Sequence, residues 1–162
     1  MRGAISNTSP LLYLYRIGVV EWLGRLFEEV WVPDAVFEEL EEGSRRGYDV
    51  PRPADYPWVE RVNPQQMPAE WFALELGRGE LATMALGLEH PERVILLDDL
   101  LARRVAEAAG LKVWGTLRVL IEGKKEGFVE ELAPYVDRLV DAGMWLSADI
   151  RRRILRLAGE SP

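Results

Sequence analysis

Apolar positions along the chain fall into two alternating periods. Short apolar runs at Ala4-Ile5, Val30-Trp31-Val32, Val94-Ile95-Leu96-Leu97 and Val113-Trp114 have the length of strands. The run at Val94 to Leu97 has no polar interruption, as expected of a strand buried on both faces. Trp58 to Val62 alternates apolar with charged residues, which suits an edge strand. Between these runs the apolar residues recur with helical spacing. One helix is predicted from Pro10 to about Leu23, with Ser9 as N-cap, Pro10 at the first helical position and Gly24 ending it. Others are predicted at Ala35–Glu42, Pro68–Leu76, Glu80–Leu88, Leu100–Ala109, Leu117–Lys125, Val129–Ala142 and Ser147–Leu157. Gly77-Arg78-Gly79 separates the third from the fourth, and Gly43 to Pro57, rich in Gly and Pro, reads as a loop.

Strands that alternate with helices predict an α/β protein, a three-layer α/β/α sandwich with a central, mainly parallel sheet. A single domain over residues 1–162 is expected, with C-terminal helices at about 129–157 packed on it. In such folds ligands bind beyond the carboxyl ends of the strands. That rule selects the residues to examine for chemistry.

Composition narrows the chemistry further. The chain has no Cys and one His (His90), so thiol catalysis, zinc–thiolate sites and Ser-His-Asp hydrolysis are set aside. The net charge of −7 argues against broad non-specific binding to nucleic acid, yet a nuclease can have an acidic metal site. No apolar run approaches the roughly 20 residues that span a bilayer, and Met1-Arg2-Gly3 leads into a strand without a signal-peptide core. Both point to a cytoplasmic protein.

Polar groups gather at three predicted strand ends: Asn7-Thr8-Ser9, Asp98-Asp99 and Gly115-Thr116. Two helix carboxylates, Glu39 in "VPDAVFEEL" and Glu80 in "GRGELATMAL", can face the same edge. Adjacent carboxylates after a buried strand repel one another, and a hard cation such as Mg²⁺ or Mn²⁺ relieves that repulsion. A structural reading stands beside this one at each position. Asp98 or Asp99 can cap the following helix, and Asp99 can pair with Arg103. Glu80 suits the positive end of its helix, Glu39 lies among other acids, and Thr116 reads as an N-cap. Arg103-Arg104 and Arg151-Arg152-Arg153 fit phosphate contacts and exposed helix faces equally well. Trp22, Trp58, Trp71 and Trp145 fit core packing or exposed anchors.

Taken in order, "SNTSPL", "VPDAVFEEL", "GRGELATMALGLE" and "VILLDDLLARRVAEAAGLKVWGTLRVL" resemble the PIN-domain family over about residues 3 to 155. The branch it is most similar to is bacterial and archaeal, and its members are described as predicted nucleic-acid-binding proteins. The resemblance implies a PIN-like sandwich and an acidic cluster that binds Mg²⁺ or Mn²⁺. It also implies a single-strand-directed endoribonuclease, often the toxin of a VapC-type toxin–antitoxin pair, with a small antitoxin partner and homodimerisation. Carried over by position, the catalytic acids are Glu39, Glu80, Asp98 and Asp99, and the metal ligands are Asn7, Glu80, Asp98 and Asp99. The hydroxyl beside the first position falls on Thr8 or Ser9; apart from the resemblance, the nearby Arg78 and Arg103 are expected to hold the RNA backbone, and Thr116 is expected as a further substrate contact. One position departs from the pattern: Asn7 stands where the family places Asp. An amide oxygen still coordinates a hard cation but brings no charge, so a non-catalytic PIN-like module that binds RNA or protein is the alternative expectation. A phosphohydrolase acting on small phosphate esters is a third.

Overall fold

The computed structural model describes residues 2–161. Five strands, β1 (Arg2–Ser6), β2 (Phe27–Val32), β3 (Val59–Arg61), β4 (Val94–Leu96) and β5 (Lys112–Trp114), form one sheet in the order β3-β2-β1-β4-β5. Every pairing is parallel. β1 is central, with Ala4 opposite Val30 on one side and Val94 on the other. Alternate residues therefore build two cores. Ala4, Val30, Val94, Leu96 and Trp114 face one, while Ile5, Ile95 and Leu97 face the other.

Helices α1 (Thr8–Arg16), α2 (Trp22–Leu26), α3 (Asp34–Arg45) and α6 (Thr116–Lys125) cover the first face. Two C-terminal helices, α7 (Ala133–Asp141) and α8 (Ala148–Leu157), add Val136, Leu139 and Leu155 to the same core. Helices α4 (Arg78–Glu89) and α5 (Leu100–Ala108) cover the second face, together with Trp71 from a short 3₁₀ turn at Ala69–Ala73. The architecture is the expected α/β/α sandwich with an all-parallel sheet. Among the described residues, no helix is long and apolar enough to cross a membrane.

Several expected boundaries move. The helix predicted over Pro10 to Leu23 is two helices, because Gly18 takes a left-handed φ of 82° and Val19 N–H donates back to Leu14 O at 2.8 Å. Val19, Val20, Trp22 and Leu23 are all buried, so the apolar period runs on through the break and hides it. Gly24 does not end a helix; it lies inside α2 with the Trp58 ring against its Cα. α1 starts at Thr8 with Asn7, not Ser9, in the cap position. Pro10 sits in the first turn, where a missing N–H leaves no intrahelical bond unmade. Pro68 to Leu76 supplies only the 3₁₀ turn. α4 begins at Arg78 and takes in Gly79, and α7 starts at Ala133 rather than Val129.

The connection out of β1 leads to β2 and β3 on one side, and β4 and β5 lie on the other. The carboxyl ends of β1 and β4 thus frame a topological switch point, the place where parallel α/β sheets open a crevice.

Candidate active site

Asn7 closes β1 at that switch point. Its backbone N–H donates to Leu96 O of β4 at 3.1 Å, which carries the ladder one residue past the strand. Its side chain is only 4% exposed, and Oδ1 has no hydrogen-bond partner, alone among the buried side-chain polar atoms of the described residues. A buried acceptor left unpaired costs about 1–3 kcal/mol, so such an atom needs a reason. Beside it, Gly79 in the first turn of α4 donates its N–H to Glu39 Oε1 at 2.9 Å. A methyl group at Gly79 would come within 2.5 Å of Glu39 Oε1 and 3.0 Å of Asn7 Oδ1. Only glycine lets the α4 backbone approach so closely. Glu39 Oε2 accepts from the Thr8 hydroxyl at 2.5 Å, so one carboxylate ties the starts of α1 and α4 to α3.

Glu80 follows Gly79 and turns back to accept from Gly77 N–H at 2.9 Å. Its pKa lies above the ordinary carboxylate value. Burial pushes it up and the negative charges of Asp99 and Glu39 add to this, while the Gly77 N–H acts in the opposite sense. Three acids from α3, α4 and the β4–α5 turn therefore share one field.

The two aspartates after β4 divide their tasks. Asp99 is the N-cap of α5, accepting from Ala102 N–H at 2.9 Å. Asp98 turns towards α6, where Thr116 donates to it twice, from N–H at 2.8 Å and from its hydroxyl at 2.7 Å. Burial raises the Asp98 pKa against the Thr116 hydrogen bonds and the nearby positive charge of Arg103. Thr116 is thus not a helix cap; Gly115 occupies that position and Thr116 anchors Asp98.

Glu80, Asp98, Asp99, Ser9, Arg103 and Thr116 line one open cleft of about 790 Å³. Arg78 is not among its lining residues and pairs with Glu38 at 3.2 Å on the surface. Asp99 forms no ion pair with Arg103 among the described residues. His90 is half-buried at the end of α4, edge-on to the Trp31 ring at 4.7 Å. Gly79 was not foreseen as a site residue. A glycine there permits close backbone approach, but nothing in the local sequence says what approaches it.

The residues can be tested against a hard cation. Among the described residues, no three His, Asp or Glu side chains converge closely enough to enclose an ion by themselves. Mg²⁺ commonly takes only one or two carboxylates and keeps several waters. The unpartnered Asn7 Oδ1 lies against Gly79 next to Glu39, and Glu80 in the following position feels the negative charges of Asp99 and Glu39, which fits that kind of site.

Fold and site together define a parallel α/β sandwich with an acidic crevice at its switch point. A family model described as a PIN domain matches residues 3–160, and the chain belongs to the PIN-domain family. The fold is therefore of the nuclease type, and divalent metals and nucleic-acid binding are general to the family. Comparisons with curated proteins and with solved structures find no match.

Proposed function

We propose that the protein is a metal-dependent endoribonuclease acting on single-stranded RNA, with Mg²⁺ or Mn²⁺ held by Asn7, Glu80 and Asp99. The observation that carries this reading is the buried, unpartnered Oδ1 of Asn7, next to Glu39 and one residue from Glu80, whose pKa Asp99 and Glu39 help to raise. When bound there, a divalent cation supplies an activated water and offsets charge on the scissile phosphodiester. The chain's own residues do the rest. Glu39 clamps Thr8 and Gly79, which holds the start of α4 against Asn7. Thr116 fixes Asp98, and Arg103, which lines the same cleft, would hold a phosphate. The test is cleavage of single-stranded RNA in Mn²⁺ by wild type and by Glu80→Gln/Asp99→Asn. Loss of about a hundredfold or more in the variant is expected. Equal activity in both overturns the reading.

A second reading, a PIN-like module that binds RNA or protein without cutting it, is favoured by the neutral Asn7 in place of Asp. Activity gained on Asn7→Asp and absent from wild type would establish it. Family membership extends the first reading to the toxin half of a toxin–antitoxin pair, with a small antitoxin and a homodimer as partners. Growth arrest on expression, relieved by a small neighbouring gene product, checks that extension.

A further inference from the structure

The cleft continues beyond the acids. From Glu80, Asp98 and Asp99 it runs across the starts of α5 and α6 to α8 and the turn before it. That far wall differs in character from the acidic end. Ile150, Arg153, Ile154 and Leu157 stand three and four residues apart, so α8 turns one stripe into the cleft, while Leu155 goes to the core. Trp145, in the α7–α8 turn, lines the same wall and is 84% exposed. It is the most exposed of the large apolar side chains, with no aromatic or cationic partner among the described residues.

Charge points the same way. In the arginine run on α8, Arg151 pairs with Asp137 and Arg152 with Asp149. Arg153, the member that faces the cleft, has no ion pair among the described residues, and neither has Arg103. On a chain of net charge −7, Arg103 and Arg153 bring positive charge into this cleft. An exposed indole sharing a cleft with arginines matches how proteins hold single strands: bases stack on an aromatic face while arginines track the phosphates.

We infer that Trp145 and Arg153 form a subsite for single-stranded nucleic acid, Trp145 stacking one base and Arg153 holding the adjoining phosphate, next to the acidic end of the cleft. The inference rests on the nuclease reading for its direction, but its test separates the two. The probe is a short, labelled oligouridylate titrated in EDTA, so that binding is read without cleavage. Trp145→Ala should weaken binding about tenfold, the lower range for loss of one stacked base, and Trp145→Phe should restore most of it. Arg153→Gln should weaken binding and lower the salt dependence by about 0.7 in log–log slope. Phe72→Ala, an exposed aromatic outside the cleft, should leave binding unchanged. Oligouridylate binding equal in wild type and Trp145→Ala overturns the subsite, and so does wild type that fails to bind. A change of oligomeric state in Trp145→Ala with binding intact also overturns it and assigns the wall to a protein interface. Normal binding with no cleavage in Mn²⁺ leaves the subsite standing and removes only the nuclease reading.

Discussion

The two ends of the parallel sheet handle buried polar groups in opposite ways. At the amino ends, the Arg93 guanidinium is buried against the Trp31 ring, 3.4 Å from its centre, donates to Ala4 O at 3.1 Å and pairs with Glu29. Burial pushes the Glu29 pKa up, but the Arg93 hydrogen bond and charge outweigh it and hold that pKa below the ordinary value. Each group there has its partner. At the carboxyl ends the balance is reversed: Glu80 and Asp98 have raised pKa values, and Asn7 Oδ1 has no partner. Burial is common to both ends, so burial does not mark the candidate site. What marks it is polarity left uncompensated, in a fold that satisfies its polar groups elsewhere.

The comparison can be broken at either end. The largest expected effect is at the compensated end. Arg93→Met leaves Ala4 O without its donor and takes the charge partner from the half-exposed Glu29, and should cost about 2–3 kcal/mol, a Tm fall of roughly 4–12 °C. A loss typical of surface substitutions would mean that the clamp contributes little. Gly79→Ala should cost about 2 kcal/mol in urea unfolding, since its methyl meets Glu39 and Asn7, and should remove any metal-dependent stabilisation. Thr116→Val takes one of two donors from Asp98 and should cost about 1–2 kcal/mol.

Glu80→Gln should act in the other direction, raising stability at pH 7 by about 1 kcal/mol or less because the group is only half-buried. The sign follows from linkage. A carboxyl with a raised pKa in the folded state binds its proton more tightly there than when unfolded. Stability therefore falls as pH rises from the ordinary carboxylate range through the folded pKa. The advantage of the glutamine should thus be present at pH 7 and fade towards pH 4, as read from Tm against pH. The smallest effect concerns the ion. Mn²⁺ should raise the Tm of wild type by a degree or two, more in Asn7→Asp and less in Glu80→Gln. Identical shifts in all three would place any bound ion away from the switch point.

Much of the fold was legible because strands declare themselves locally. The unbroken run Val94 to Leu97 became the strand buried on both faces, and the alternation at Trp58 to Val62 became the edge strand β3. Helix ends were less legible, since Gly18 breaks a helix without interrupting its apolar period. Residue types at the candidate site were legible too, but not how their hydrogen bonds are shared out. Thr8 and Gly79 reach Glu39 from distant parts of the chain, and Thr116 reaches Asp98 across a helix and a strand. No local pattern encodes such pairings. Arg78 shows the same limit: a neighbouring glutamate on α3 captures it, and no feature of "GRGE" announces that.

The bond from Asn7 N–H to Leu96 O also sets an order of events during synthesis. β1 is made first, yet one of its two neighbours, β4, is not made until most of the chain exists. A nascent chain that has reached β3 can pair β1 with β2 but has neither the second wall of the crevice nor Asp98 and Asp99. Such non-local parallel pairing is slow to form. The acidic crevice therefore cannot assemble on the ribosome until synthesis has passed Asp99.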